Sequence, residues 1–224
     1  MRLNLIIFAL FLALPAQADE VYQQELIARA SLAKQLSVEP HPEGKTIERV
    51  VVVPYDVVLK EEPWPSFLNL FHATTDEDVV ARELLLKPGD KWSEDLLNES
   101  ARNLRSYLFV SVARIIPCKG STSDHVIALV VTKDLWSLRL NSEFSYVGSK
   151  LEALELEFTE ENLAGRNKHA SIDFGMNLAS AYLGQQYRDP RLMGTQLQLG
   201  ERADLIWNRS SGKFRLTVAT RACS

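Results

Sequence analysis

The stretch Leu156–Phe174, LEFTEENLAGRNKHASIDF, decides how the C-terminal half of this chain folds. Apolar and polar residues alternate on both sides of a turn cluster at Asn162–Lys168, NLAGRNK. Alternation with a period of two residues is typical of a β-strand with two different faces, and a Gly- and Asn-containing break between such runs is typical of a hairpin. The stretch therefore predicts two antiparallel strands joined by a turn.

The same alternation recurs through the rest of the C-terminal half. Its apolar positions are Leu154, Leu156, Phe158, Ile172, Phe174, Met176, Leu178, Leu197, Leu199, Leu205, Trp207, Phe214, Leu216 and Val218. The pattern predicts a meander of antiparallel strands over residues 139–224. Two architectures share it: a transmembrane β-barrel whose apolar side chains face lipid, and a soluble sandwich whose apolar side chains form a core. Periodicity leaves both open.

The first 18 residues predict export from the cytoplasm. A basic Met1-Arg2 start, an apolar run from Leu5 to Leu14 and the small-residue site Ala16-Gln17-Ala18 form the three parts of a secretory signal peptide. The apolar run is shorter than the roughly 20 residues that a membrane-spanning helix needs. We expect the mature chain to begin at Asp19. In residues 19–45 one side of a short helix is predicted, which a Pro- and Gly-containing end then breaks, so we interpret the segment as a linker or a loosely held leader segment. The residues predicted to line this helix are Val21, Leu26, Ile27, Ala30 and Leu36.

Residues 46–138 predict a small α+β domain. The β-branched run Ile47–Val53 predicts a buried strand that ends at Pro54. Two amphipathic helical patterns follow, one capped at Thr74 or Thr75 and one capped at Ser93, each with acidic residues in its first turn. Two further strands are predicted, at residues 109–117 and 126–132. The order is β-α-α-β-β, with both helices on one face of a three-stranded sheet.

Composition and motifs predict a protein without bond chemistry. The 224 residues carry a net charge of −4 and no basic cluster, which argues against nucleic acid. The four histidines show no metal-binding spacing, and neither a GxSxG motif nor a glycine-rich phosphate loop is present. The two cysteines, Cys118 and Cys223, are isolated. We predict no catalytic residue, no cofactor and no metal, and therefore a protein that is not an enzyme.

Several stretches, in their order and spacing, resemble one family. ARELLLKPGDKW (81–92) and LLNESARNLRSYLFVSVARI (96–115) run from a helix and Gly-Asp turn into a helix of the form E-S-x-R-x-L-R and a strand. VVTKDLWSL (130–138) follows, then the E-x-N-L-x-G of residues 156–174 and the Y-x-D-P of QQYRDPRLMGTQLQL (185–199). Together they resemble the bacterial outer-membrane assembly-factor superfamily of the BamA and TamA kind, also called bacterial surface antigens.

The resemblance implies a fold and a location. Residues 46–138 correspond to a POTRA (polypeptide-transport-associated) domain in the periplasm, and residues 139–224 to the N-terminal strands of a β-barrel in the bacterial outer membrane. Family barrels have many strands and close on a C-terminal aromatic strand, so we expect this chain to be a fragment with a truncated, incomplete transmembrane β-barrel. Asn167 stands where family members often carry a second glycine.

The resemblance also implies a function: capture of client strands by β-augmentation, for insertion into the outer membrane or transport across it. The implied partners are unfolded outer-membrane or exported proteins, outer-membrane lipid and periplasmic accessory proteins. Trp136 and Trp207 are candidate membrane-interface aromatics. The candidate client-binding edge strand comprises Phe109, Val110, Ser111, Val112, Ala113, Arg114, Ile115 and Ile116.

Three alternatives remain open at the level of sequence. The POTRA domain is interpreted equally well as a hinge that only tethers the barrel. The barrel itself is compatible with a passive pore or anchor. If the meander is instead a sandwich, the chain is a soluble periplasmic protein-binding module.

Overall fold

The computed structural model describes residues 2–3, 20–63, 69 and 72–223. The predicted signal peptide and the loop residue Trp64 therefore lie outside the described residues, apart from a two-residue strand, β1 (Arg2–Leu3). Contacts divide the chain into two compact units, the first ending at Trp136 and the second resuming at Ser137.

The first unit is a three-stranded sheet with helices. Its strands are β2 (Thr46–Tyr55), β3 (Val110–Lys119) and β4 (His125–Asp134), and its helices are α1 (Glu20–Ala33), α2 (Glu77–Ala81) and α3 (Glu94–Arg105). The spatial order is β2-β4-β3. Strand β4 pairs parallel with β2 and antiparallel with β3, so β2 and β3 are the two edges.

Helices α2 and α3 cover one face of this sheet. The spacing predicts an apolar stripe of Leu96, Leu97, Ala101, Leu104 and Leu108. Leu97, Ala101 and Leu104 are buried, whereas Leu96 and Leu108 are 42% and 57% exposed. Val126, Ala128 and Val130, alternate residues of β4, belong to the two apolar clusters on this side. The N-cap of α2 is Asp76, rather than Thr74 or Thr75 as predicted, and the Thr75 hydroxyl bonds the Asp134 carboxylate.

Helix α1 covers the opposite face. The sequence predicts a short helix in this segment but assigns it to a linker, outside the domain. Leu26, Ile27 and Ala30 are buried in one cluster with the other alternate residues of β4, Ile127, Leu129 and Val131. Nine of the ten residues of β4 are buried. A strand covered on both faces is expected to read as a continuous apolar run, which this one does. Of the five residues predicted to line one side of a short helix, Leu26, Ile27 and Ala30 are buried, whereas Val21 is 74% exposed and Leu36 lies beyond the end of α1.

Strand β2 passes through Pro54 instead of ending there, and runs to Tyr55. Proline lacks the N–H that a central strand donates, but an edge strand tolerates it. The edge position of β2 therefore explains why the predicted strand end is wrong by one residue.

The second unit is a meander of antiparallel strands. It comprises β5 (Leu138–Val147), β6 (Lys150–Glu160), β7 (His169–Asn177), β8 (Ser180–Asp189), β9 (Gln198–Asn208) and β10 (Lys213–Cys223), paired in chain order, with β1 against β5. The predicted hairpin is β6–β7. Sequence reasoning missed β5 and β8 as strands, because serine, glycine and glutamine interrupt their alternation, and it placed Leu178 in a strand although it lies in the β7–β8 turn.

Candidate functional site

The predicted client-binding strand is an edge strand. Residues Val110–Ile116 lie in β3, which pairs with β4 and is the last strand on its side of the described three-stranded sheet. Phe109 does not belong to this edge. It precedes the strand, is 2% exposed in the cluster formed with α2 and α3, and its carbonyl accepts the Leu135 N–H at 2.7 Å. The candidate edge therefore reduces to residues 110–116.

Other segments of the chain occupy parts of the outer side of β3. The Pro117 carbonyl accepts the Glu39 N–H at 2.9 Å, and the Lys119 N–H donates to the Ser37 carbonyl at 2.8 Å. Outward-facing backbone groups recur at every second residue of a strand, so Ile115 faces the same side. At Ala113, the carbonyl accepts the Arg105 Nη1 at 2.7 Å. Arg105 is thus engaged with the backbone of β3.

The other edge of the sheet is covered at its start. The Ile47 N–H donates to the Asp90 carbonyl, and the Gly89 N–H donates to the Ile47 carbonyl, both at 2.8 Å. Gly89 has φ +98°, a left-handed conformation that glycine adopts without strain. The Gly-Asp turn of the sequence motif therefore pairs with the backbone N–H and C=O of Ile47, at the start of β2.

A charged cluster ties the loop after β2 to the end of β4. The Lys133 ammonium donates to the Val57 carbonyl at 2.7 Å and to the Glu62 carboxylate at 3.0 Å and 3.2 Å, and lies 5.5 Å from the centre of the Tyr22 ring. The Tyr22 hydroxyl also donates to Glu62. Burial would raise the pKa of Glu62, but hydrogen bonds from Tyr22, the Leu59 N–H and Lys133 hold it below its usual range.

A second buried polar cluster surrounds Asp134, the next residue. Its carboxylate accepts the Thr75 N–H at 2.7 Å and the Thr75 hydroxyl at 2.9 Å, and lies 3.0 Å from the His72 Nε2. Asp56 lies 3.8 Å from the same ring nitrogen. The side chains of His72 and Asp134 are fully buried. These contacts hold Asp56, His72 and Thr75 at the end of β4.

Sequence reasoning missed both clusters, although a signal was present. The motif V-x-T-x-D over residues 130–134 holds Lys133 and Asp134 at the end of an otherwise apolar strand. A charged pair that continues a buried strand needs partners. The partners, however, lie about 60 to 110 residues away, and only folding brings them together.

The exposure of the two faces of the meander is the reverse of that in a soluble sheet. Register places Phe158 opposite Ile172, Leu156 opposite Phe174 and Leu154 opposite Met176, so these residues share one face, as predicted. Phe158, Ile172 and Leu183 are 50%, 59% and 53% exposed, whereas Ser171 and Asp173 on the other face are 4% and 6% exposed. The apolar face is the solvent-accessible one, and polar residues are packed on the other.

An ion network orders the polar face. The Arg202 guanidinium forms two contacts of 2.9 Å with the Asp204 carboxylate and one of 3.1 Å with Asp173. Asp173 also accepts the Ser171 hydroxyl at 3.0 Å. Gly184 lies beneath this network: a Cβ there would stand 2.5 Å from the Asp204 carboxylate. Gly184, which interrupts the apolar–polar alternation of β8, therefore leaves the space that the Asp204 carboxylate occupies.

A second glycine serves the same face. Gly175 lies directly opposite Tyr182. The Tyr182 ring covers it so closely that a Cβ would stand 2.1 Å from a ring carbon. The ring protects the backbone of a strand residue that has no side chain of its own.

Two turns of the meander share one conformation. In each, a leucine begins a single 3₁₀ turn, Leu163–Gly165 and Leu192–Gly194, and its N–H donates to the carbonyl five residues on, at 2.8 Å. Asn167, the predicted departure from the family pattern, has φ +54°. Its N–H donates to the Asn162 side chain at 2.8 Å. The position demands a left-handed conformation, which glycine prefers and asparagine tolerates.

The two candidate interface aromatics lie in different surroundings. Trp207 is 39% exposed on the apolar face, where its ring stacks on Phe214 at 6.3 Å and lies 5.9 Å from the Arg209 guanidinium. Trp136 is half-buried at the end of the first unit. Trp207 thus combines an apolar neighbour with a flanking cation, the arrangement found at a membrane interface.

The described residues contain two free thiols but no metal-binding cluster. Within them, no three His, Cys, Asp or Glu side chains are placed to hold a metal ion. Among these same residues, no helix has the length and apolarity to cross a membrane. Both cysteines are free; Cys118 is buried, which raises the pKa of its thiol to about 11, and Cys223 is exposed.

The fold thus defines a chain in which a helix-covered sheet precedes an antiparallel meander with an exposed apolar face. No family model matches it. A curated protein of Treponema pallidum (strain Nichols), named "Putative outer membrane protein assembly factor", is 28% identical over 133 residues, 56% of this chain and 16% of that protein. BamA from Haemophilus ducreyi lacking POTRA domains 1–3 covers 91% of this chain at 14% identity, with a TM-score of 0.61.

The sequence match and the shared fold confirm the predicted resemblance to the outer-membrane assembly factors. The chain spans a small part of its relatives: 16% of the Treponema protein and 39% of the BamA chain.

Proposed function

We propose that this chain is part of a bacterial outer-membrane β-barrel protein that assembles client proteins into that membrane or transports them across it. In this proposal residues 139–224 are the N-terminal strands of the barrel, and residues 46–138 are a POTRA domain in the periplasm. The names of the matched Treponema protein and of BamA support the assignment. The reaction is a folding event, so it needs no catalytic residue.

The observation that carries the proposal is the reversed polarity of the meander. Exposed apolar residues such as Ile172 and Leu183 occupy one face, and a packed ion network around Arg202 occupies the other. A soluble sandwich buries its apolar face and exposes its charges. Lipid outside and a polar interior explain the opposite arrangement, which therefore favours a membrane barrel over a soluble binding module.

We propose strand addition at β3 as the way in which clients are captured. An edge strand presents N–H and C=O groups that an unfolded strand can pair with, largely irrespective of its sequence. The middle of the outer side of β3, around Ile115, supplies such groups. Clients that later form barrel strands have the alternating pattern that suits pairing on a sheet edge.

The membrane assignment is tested with adjacent residues on opposite faces. Leu216 pairs with Leu205 on the apolar face, and Thr217 pairs with Asp204 on the polar face. In a Cys223→Ser background, Leu216→Cys and Thr217→Cys are labelled with an environment-sensitive dye, and the chain is reconstituted into phospholipid vesicles. Nitroxide lipids should quench the dye at 216 more strongly than at 217. Equal quenching, or stronger quenching at 217, contradicts the barrel.

Client capture is tested by removing one outward-facing donor. Ile115→Pro deletes an N–H on the outer side of β3 without deleting a bond to β4. Ile115→Ala is the matched control, since it loses the side chain and keeps the N–H. The probe is a fluorescent peptide copying Lys213–Cys223, with serine for its cysteine. We expect its affinity for the proline variant to fall about fivefold below that for the alanine variant. Equal affinities contradict pairing at β3.

A further inference from the structure

The outer edge of β3 already carries a strand from its own chain. Ser37–Glu39 runs antiparallel to Pro117–Lys119, with Val38 opposite Cys118. The Glu39 N–H and the Ser37 carbonyl make the two bonds of this pairing. A client strand that adds to β3 needs the same Pro117 carbonyl and Lys119 N–H. The chain and a client therefore compete for one end of the edge.

Helix α1 holds this short strand in place. The helix ends with the Gln35 N–H on the Leu32 carbonyl and the Leu36 N–H on the Ser31 carbonyl, and Gln35 has φ +54°. These are the two bonds and the left-handed residue of a Schellman cap. The cap turns the chain sharply, so that residues 37–39 reach β3 directly after the helix.

Helix α1 is in turn anchored to the sheet beneath it. Leu26, Ile27 and Ala30 are buried against β3 and β4. Gln23 accepts the Arg114 Nε at 2.6 Å, so the helix also has a polar contact with β3. We call residues 20–39 the strap, because they run from the covered face of the sheet to its edge.

Two contacts close the outer edge of β3, one from Arg105 and one from the strap, and the length of edge between them is short. Arg105 caps the Ala113 carbonyl at one end, and the strap occupies residues 117–119 at the other. Between them only Ile115 presents outward groups under the alternation of a ladder. Strands in proteins usually pair over about five residues or more. A client cannot form a ladder of that length unless one closure opens.

We propose that the strap is an intramolecular occupant of the client edge, and that a client strand gains the Pro117–Lys119 end of β3 by displacing Ser37–Glu39. This inference rests on the proposed strand addition at β3. Displacement is feasible because the strand portion of the strap is held by two backbone bonds, which a client ladder replaces and extends. The strap thereby keeps the edge closed to weakly pairing chains and to other copies of the protein.

A reversible covalent lock tests the proposal. Val38 and Cys118 form a pair whose flanking residues make the bonds, so their Cα atoms stand about 4.5 Å apart, a separation that a disulfide spans. Val38→Cys in a Cys223→Ser background is oxidised to bridge Cys118, and the bridge is verified by mass spectrometry. Binding of the fluorescent Lys213–Cys223 peptide to the full chain in detergent micelles is then measured before and after reduction. Cys223→Ser alone is the control.

A second variant opens the strap instead of locking it. Glu39→Pro removes the N–H that donates to Pro117, whereas Glu39→Gln keeps this N–H and removes only the charge paired with Lys45 at 2.9 Å. We expect Glu39→Pro to bind the peptide about fivefold more tightly, since one competing hydrogen bond is gone. The glutamine variant should bind like the unmodified chain.

The outcomes separate this inference from the proposed function. Support requires peptide binding that falls at least about tenfold on oxidation of the Val38→Cys variant and returns on reduction. Equal binding in the locked and reduced forms, with Ile115→Pro still weakening it, overturns the strap and leaves capture at β3 intact. Absence of binding in every variant, Glu39→Pro included, overturns capture at β3 and the strap with it.

Discussion

Replacing Lys133 by methionine should destabilise the first unit strongly. The Lys133 side chain is 7% exposed, and it is the cation for Glu62, whose side chain is 17% exposed. Methionine has a similar length and shape, so the change removes a charge and few packing contacts. It leaves the Glu62 carboxylate without its cation and the Val57 carbonyl without its donor.

The expected magnitude follows from these losses. Breaking a buried ion pair by removing one partner costs about 3–5 kcal/mol. Glu62 keeps the Tyr22 hydroxyl and the Leu59 N–H as donors, so the lower end, about 3 kcal/mol, is expected. The loss should be largest near neutral pH. The folded-state pKa of Glu62 is depressed, so its contribution is present above about pH 4.3 and disappears as the pH falls through the folded-state value.

Cys118 provides the assay because it is buried in the cluster under α1. In a Cys223→Ser background, its labelling by a thiol reagent requires opening of the structure. A loss of about 3 kcal/mol should speed labelling about 100-fold, while Lys60→Met, at an exposed lysine of the same loop, should leave the rate unchanged. The double variant Lys133→Met/Glu62→Met should recover much of the loss, since no unpaired charge remains. A labelling rate within threefold of the parent for Lys133→Met refutes the reasoning.

Three further predictions concern single positions. Because Asn167 has φ +54°, Asn167→Gly should leave the free energy of unfolding unchanged or raise it by up to about 1 kcal/mol, whereas Asn167→Val should lower it by about 1–2 kcal/mol. Denaturant titration in micelles distinguishes the two variants, and a valine variant as stable as the parent would contradict the strained turn. Gly175→Ala should lower stability by about 1–3 kcal/mol by displacing the Tyr182 ring. In the same titration, the loss in the double variant Gly175→Ala/Tyr182→Ala should differ from the sum of the two single losses, and strictly additive losses would exclude the contact. Asp134→Asn should lower stability by about 1–3 kcal/mol and speed limited proteolysis between residues 56 and 75. Asp124→Asn, at an exposed turn, is the control, and equal proteolysis of both variants would contradict the role of the Asp134 cluster.

The sequence predicted those parts of the fold that depend on local periodicity. Alternation placed the β6–β7 hairpin and brought Phe158, Ile172 and Phe174 to one face, and helical spacing placed α3 with its buried stripe. These patterns hold because each residue's face is set by the geometry of its own strand or helix. The resemblance to assembly factors rests on the same local motifs and their order.

Alternation could not decide which face of the meander is exposed. A sandwich and a barrel use the same period, and only the register of neighbouring strands, together with the packing of Arg202 against Asp173 and Asp204, reveals that the polar face is the packed one. The same holds for β5 and β8, whose weak patterns are completed by pairing with stronger neighbours.

The sequence by itself determined the strands with clear alternation, the main helix and the motif-bearing turns of this protein, because those features follow from neighbours along the chain. Only the tertiary structure decided that α1 covers the second face of the sheet, that Ser37–Glu39 occupies the edge of β3, and that Lys133 and Asp134 find their partners in a distant loop. Each of these is a contact between residues far apart in sequence. Such contacts depend on where the chain returns in space, which no local pattern encodes.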